Sequence, residues 1–184
     1  MDYKQLTLSC GKKINIYKNL FTSHEREHFK DFAQHSVYKV GRQSTAFTLN
    51  KPGCFFSSYY SDQEDHAFGF NNTSLIKKLT ENFIRVSSWV NATIPGSMYY
   101  SHVDKISLGL DKKYLTILYC VNGYWDEENG GEILFHNSYG DKEIAVDFSP
   151  GQVILFDSLI PHKPAYSYGH FEPRFMYVCV YEEV

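Results

Sequence analysis

The chain has 184 residues and 43% are hydrophobic, which suits one domain with a substantial core and excludes disorder as its overall state. Its formal charge of −3 gives no electrostatic reason to expect a nucleic-acid partner. No apolar run could span a membrane, residues 1–5 lack a signal-peptide core, and Cys10, Cys54, Cys120 and Cys179 form no C-x-x-C, so a cytoplasmic protein with reduced thiols is expected.

Residues 5–20 hold two short apolar stretches, Leu6-Thr7-Leu8 and Ile14-Asn15-Ile16-Tyr17, expected as strands at a sheet edge. Thr22-Ser23-His24-Glu25 matches a capping box, with a hydroxyl at the N-cap and Glu three residues later. The helix it opens carries Phe29, Phe32 and Ala33 at helical spacing. His24-Glu25-Arg26-Glu27-His28 is also a literal H-E-x-x-H, the frame in which two His one turn apart bind zinc beside a general base. The plainer reading is a solvated first turn with Glu25 engaged as a cap. It is preferred because no H-x-x-G-x-x-H extension follows His28.

Residues 37–49 alternate loosely and predict one or two strands. Phe55-Phe56-Ser57-Ser58-Tyr59-Tyr60 is aromatic, and Ser61-Asp62-Gln63-Glu64-Asp65 is acidic and loop-like. The pair frames either a substrate entrance or an ordinary strand with its connector. Asn71-Asn72-Thr73 is an N-cap cluster ahead of Leu75, Ile76, Leu79 and Phe83, the stripe of an amphipathic helix packed on a sheet.

From Arg85 onward, short β-rich runs alternate with turn signals. The runs are 86–94, 98–104, 114–121, 132–136, 143–148, 152–157, 162–168 and 174–181. Eight such strands predict a double-sheet jelly roll, mainly β, with the N-terminal helices packed on one sheet. Aromatics at 17%, with 15 Tyr and 14 Phe, agree with a strand-rich chain and supply half-wet walls for a pocket.

Within the second run, Met98-Tyr99-Tyr100-Ser101-His102-Val103-Asp104, side chains two apart share a strand face. His102 and Asp104 then present an imidazole and a carboxylate together. A further His facing them would complete two His and one carboxylate, a set that suits Fe(II) and leaves coordination positions open. Pro161-His162-Lys163-Pro164 supplies one on a restricted backbone, just after the apolar run Val153-Ile154-Leu155-Phe156. Arg174 opens the apolar strand 174–181. Buried, it needs an anionic partner and its planar fork suits a carboxylate; taken alone, it reads as an exposed strand end.

Together these signals resemble the Fe(II)- and 2-oxoglutarate-dependent oxygenases, and within them the prolyl 4-hydroxylase-like branch. The resemblance covers about residues 86–181. It is carried by His102-Val103-Asp104, by Tyr114-Leu115-Thr116-Ile117-Leu118-Tyr119-Cys120-Val121-Asn122, and by Trp125-Asp126-Glu127-Glu128-Asn129-Gly130-Gly131-Glu132-Ile133. It continues through Ser149-Pro150-Gly151-Gln152-Val153-Ile154-Leu155-Phe156, His162 and Arg174. It implies one dioxygenase domain over 1–184, with support from about 1–85 and a double-stranded β-helix core from about 86–184. His102, Asp104 and His162 are the implied iron ligands, and Arg174 the partner of the distal carboxylate of 2-oxoglutarate. Some relatives add a Tyr on the third strand of the core. Here that position is Cys120, so Tyr100, Thr116 or Tyr119 takes the role, with Tyr100 preferred for sharing the face of His102 and Asp104.

The implied cofactor set is Fe(II), 2-oxoglutarate as co-substrate and O2, with ascorbate as a further candidate. The implied reaction converts 2-oxoglutarate to succinate and carbon dioxide while hydroxylating a C–H bond of a prolyl residue, a peptide, a protein or a small molecule. Related halogenases carry Gly or Ala at the carboxylate position, so Asp104 favours hydroxylation. Nucleic-acid demethylases of the superfamily resemble Arg-x-Asn-x-Thr-x-Arg on the last strand, whereas this chain has Arg174-Phe175-Met176-Tyr177-Val178. A non-catalytic jelly-roll binding module, a zinc protease on His24, Glu25 and His28, and a cupin are the remaining alternatives. The first conflicts with a complete ligand set, the second leaves everything after residue 85 unexplained, and the third lacks its clustered His-x-His.

Overall fold

The computed structural model describes residues 1–40, 56–97, 99–104, 112–137, 139–168 and 172–184. Among them, eleven strands form two antiparallel sheets. The larger sheet runs β1 (Asp2–Thr7), β2 (Lys13–Lys18), β9 (Val153–Asp157), β6 (Tyr114–Cys120), β11 (Arg174–Glu183), β5 (Phe83–Thr93), β4 (Phe56–Tyr59) and β3 (Lys39–Val40). The smaller runs β10 (His162–Pro164), β7 (Ile133–His136) and β8 (Lys142–Val146). This is the expected jelly-roll core with flanking helices.

At its centre the larger sheet is buried on both faces, which is why β6 and β11 read as nearly unbroken apolar runs. Leu118, Cys120, Met176, Val178, Ile154 and Phe156 face the smaller sheet and pack with its Ile133, Phe135 and Val146. The alternate residues Ile117, Tyr119, Tyr177 and Cys179 face a second core shared with the helices. There α1 (Ser23–Gln34) buries Phe29 and Ala33, opened by the capping box of Thr22 and Glu25. Phe68 of α2 (Asp62–Phe68) and Ile76 of α3 (Ser74–Leu79) complete that layer. Among the described residues, no helix is long and apolar enough to cross a membrane.

Four expectations need correction. Residues 99–104 form no strand: His102 and His162 make one isolated bridge, with main-chain N···O distances of 3.0 and 2.9 Å, after which the Asp104 amide turns to the Ser158 carbonyl. Pro164 stands where the next pair toward Tyr100 would need an N–H donor and has none, so the ladder does not extend that way. The acidic stretch after Ser61 is a helix, α2, because Ser61 and Glu64 build a second capping box. The helix expected to reach Phe83 stops at Leu79; the Thr80 hydroxyl bonds the Ile76 carbonyl at 2.8 Å, and Phe83 opens β5. Finally, only β1 of the N-terminal hairpin is an edge, since β2 pairs with β9. The strands expected over 37–49 can be followed only to Val40; residues 41–49, Cys54, Phe55 and Met98 lie outside the described residues.

Candidate metal centre

Between the two sheets, His102, Asp104 and His162 each offer one ligand atom, and these atoms lie within 4.8 Å of one another. His102 Nε2 is 3.6 Å from Asp104 Oδ1 and His162 Nε2 is 3.4 Å from Oδ2. The isolated bridge sets the two histidines side by side, with ring centroids 4.7 Å apart. Phe156 packs edge-on against His162, 4.8 Å away, and walls the cluster from the core.

Each ring is aimed by its own main chain. His102 Nδ1 lies 2.9 Å from the Tyr100 carbonyl and His162 Nδ1 lies 3.0 Å from the Ile160 carbonyl. A carbonyl only accepts, so Nδ1 carries the proton and Nε2 keeps its lone pair toward the cluster. This is the second-layer arrangement that fixes metal-binding imidazoles. Asp104 is fixed likewise: the Thr116 hydroxyl donates to Oδ2 at 2.9 Å and lies 2.8 Å from the Ser158 hydroxyl.

At His162 the electrostatics agree with that arrangement. Burial pushes His162 down to about 4, keeping it neutral and basic at Nε2. Burial also opposes a charge on His102, but the hydrogen bond and charge of Asp104 outweigh it and lift the imidazole above its ordinary value. Burial alone would raise Asp104; the two imidazoles, His162 first, and the Thr116 hydroxyl hold its carboxyl below the usual range. Two imidazole nitrogens and one carboxylate, gathered without a thiolate, fit a divalent iron with open positions.

Arg174 begins β11 on the inter-sheet side and is 2% exposed, so it is no exposed strand end. Its Nε and Nη2 are buried and have no hydrogen-bond partner among the described residues. These two atoms form one edge of the guanidinium, spaced for the two oxygens of a carboxylate. The Phe148 ring sits 4.6 Å from Cζ. A buried cation with one edge open is a receptor for an anion, and a dicarboxylate fits it.

Gly131 makes room for that side chain. Its φ is +83°, and a Cβ there would lie 3.0 Å from Arg174 Cδ and 3.3 Å from Nε. Gly131→Ala is expected to lower stability by about 1–2 kcal/mol through the left-handed backbone. It should also displace the guanidinium. The check is thermal melting together with 2-oxoglutarate affinity, which should fall while affinity for a divalent metal stays unchanged.

The other residues singled out in the sequence fall as follows. Thr116 reaches the cluster, as the residue that holds Asp104. Tyr100 contributes its carbonyl to His102. Tyr119 is a correction: it points to the opposite face of the sheet, its ring 5.0–5.5 Å from Phe21, Phe29 and Phe70. In β6, odd and even positions take opposite faces, so Thr116 and Tyr119 cannot serve one site. The H-E-x-x-H is not a metal cluster: Glu25 caps Thr22, and His28 Nε2 lies 3.1 Å from the Ala67 carbonyl. Ser158, Gly131 and Phe148 escaped sequence reasoning; of these, only Gly131 left a signal, in its Gly-Gly pair.

A family model described as the 2OG-Fe(II) oxygenase superfamily matches residues 88–179, half of the chain, and the chain belongs to that superfamily. Solved structures share the fold. A prolyl hydroxylase of Trichoplax adhaerens, in complex with a hypoxia inducible factor peptide fragment, gives a TM-score of 0.70 at 18% identity, covering 92% of this chain and 83% of that one. A Pseudomonas putida prolyl-4-hydroxylase gives 0.64 at 13% identity, covering 93% and 92%. HygX of Streptomyces hygroscopicus, with nickel, 2-oxoglutarate and hygromycin B bound, gives 0.63 at 11% identity, covering 93% and 82%. No curated protein sequence matches.

Proposed function

We propose that this oxygenase hydroxylates an unactivated C–H bond of a prolyl residue, a peptide or an amino acid, using His102, Asp104 and His162 to hold Fe(II) and Arg174 to hold 2-oxoglutarate. The observation that carries this reading is the pairing of a convergent His-Asp-His donor set with a buried Arg edge open to a carboxylate, both on the inter-sheet side. Iron(II) in such a site couples oxidative decarboxylation of the 2-oxo acid, with O2, to oxidation of a substrate C–H bond, giving succinate and carbon dioxide. The Tyr100 and Ile160 carbonyls keep both Nε2 atoms available, and Thr116 orients Asp104. Arg174 neutralises the distal carboxylate and fixes the direction in which the co-substrate enters. Phe148 lies against Arg174 and Phe156 against His162, so each end of the site has an apolar wall.

The same reading takes 1–184 as one dioxygenase domain, in which about 1–85 supports a core of about 86–184. The pairing of β2 with β9 and of β4 with β5 supports it, since both join early strands to the core sheet. A peptide substrate is favoured by the Trichoplax enzyme, which holds a peptide, whereas HygX holds hygromycin B. Ascorbate as reductant and a cytoplasmic setting complete the proposal. The test is succinate release from the iron-loaded protein against prolyl peptides, free amino acids and an aminoglycoside, with mass analysis of each. A gain of one oxygen on a prolyl peptide is expected. Succinate release coupled only to the aminoglycoside would overturn the peptide assignment.

A further inference from the structure

We propose that Asn122 is the positioning residue for Arg174: its carboxamide clamps the main chain on both sides of Arg174 and so holds the guanidinium in its seat. The inference rests on Arg174 being the co-substrate anchor, and adds what keeps that anchor in place.

β6 pairs with β11 as far as Cys120 opposite Met176. One step further, the Val121 amide still bonds the Phe175 carbonyl, at 3.1 Å. In a regular antiparallel ladder such a pair exchanges both bonds, and the next pair to do so lies two residues on. The Phe175 amide would then return to the Val121 carbonyl, and the Pro173 carbonyl would take the Gly123 amide. Neither bond forms. Instead the Phe175 amide donates to Asn122 Oδ1 at 2.7 Å, and Asn122 Nδ2 donates to the Pro173 carbonyl at 2.9 Å. A carboxamide carries the acceptor and the donor of a peptide group, so this one side chain stands in for two missing rungs.

Arg174 lies between those two bonds, and on its other side it pairs with Thr93 of β5. Pro173 has no N–H, so its carbonyl is the main-chain group by which it can be held. Asn122 is 1% exposed and Phe175 is buried, so losing the carboxamide leaves the Phe175 amide a buried donor without its acceptor. The seat of the guanidinium has little slack. A Cβ on Gly131 would lie 3.0 Å from Arg174 Cδ, and the Phe148 ring is 4.6 Å from Cζ. A start of β11 that frays would shift the guanidinium against these walls. The metal donors are aimed from elsewhere, by Tyr100, Ile160 and Thr116, and would stay in place. The loss is therefore selective for the distal carboxylate.

The experiment is calorimetric titration of the Mn(II)-loaded protein with 2-oxoglutarate and, separately, with pyruvate, a 2-oxo acid without the distal carboxylate. Asn122→Ala should weaken 2-oxoglutarate by about threefold to tenfold, the net worth of one hydrogen bond. Pyruvate and Mn(II) affinities should not change. Asn122→Ser keeps a single hydroxyl and should lose less; it carries the same comparison if the Ala variant does not fold. Melting temperature falls under a merely structural role too, so the ratio of the two affinities decides. Acting through Arg174 also means that Asn122→Ala adds no further loss of 2-oxoglutarate in an Arg174→Ala background. Wild-type 2-oxoglutarate affinity in the Asn122 variants, an equal loss for pyruvate, or an additive loss in the double variant overturns the assignment. Arg174→Ala separates the two levels. If it alone loses 2-oxoglutarate, the anchor stands and the role of Asn122 is refuted; if it binds as wild type does, the anchor reading fails and this inference with it.

Discussion

Asp104→Ala is expected to abolish turnover rather than slow it. The carboxylate is the anionic member of the cluster and its side chain is 3% exposed, and among the described residues no other acid joins the cluster to replace it. Its loss removes one donor atom and the negative charge that offsets a divalent cation, and it leaves the buried Thr116 hydroxyl with Ser158 alone. Removing one partner of a buried charge pair costs roughly 3–5 kcal/mol. At about 1.4 kcal/mol per decade, metal affinity should fall by on the order of a hundred- to several-thousand-fold. Asp104→Asn keeps the shape and an acceptor for Thr116 but not the charge, and should fall between. Anaerobic metal titration and succinate release check this. Near-normal product from Asp104→Ala would show that another group is the third ligand.

Much of this site was legible because its chemistry is local in sequence. His102 and Asp104 are two residues apart, and Pro161 and Pro164 bracket His162, so the candidate donor set can be named before the sheets are known. His102 and Asp104 nevertheless do not share the face of a regular strand: the chain makes a single bridge at His102, and Asp104 is set by Ser158 and Thr116. Residues joined only through the sheet were invisible. Thr93 meets Arg174 across 81 positions of sequence because β5 pairs with β11, and nothing in either segment announces that register.

The N-terminal misreadings have a different origin. Ser61-Asp62-Gln63-Glu64 carries the same hydroxyl-x-x-Glu signature as Thr22-Ser23-His24-Glu25, and both form complete capping boxes. The first reads as a loop on its acidic composition, although its spacing and the favourable pairing of acidic residues with the helix dipole in a first turn both point to a helix. Asp65 shows what that helix is for. It is 5% exposed and receives hydrogen bonds from Ser88, Asn71 and Tyr177, with Arg85 Nε at 3.3 Å, so α2 is anchored to β5 and β11 from outside the sheet. Tyr119 failed for a physical reason as well. In a strand buried on both faces, apolar character cannot say which face looks at the site, and one residue's shift reverses the answer.

The second large effect is expected at Arg174. The guanidinium is buried against Phe148, and its Nε and Nη2 have no partner among the described residues, so its open edge is the proposed anchor of a co-substrate carboxylate through two parallel bonds. Without Arg174, that carboxylate would enter an apolar recess with its charge unmatched. By the cost of breaking a buried pair, roughly 3–5 kcal/mol, Arg174→Ala should weaken 2-oxoglutarate on the order of a hundred- to several-thousand-fold. Lys keeps the charge but loses the fork, so Arg174→Lys should fall between the two. Metal affinity in the absence of 2-oxoglutarate should be unchanged, because Arg174 is not among the clustered donors. The measurement is 2-oxoglutarate affinity for wild type and both variants under matched metal and salt. If all three bind within a few-fold of one another, the open edge of Arg174 serves another anion and the co-substrate is held elsewhere.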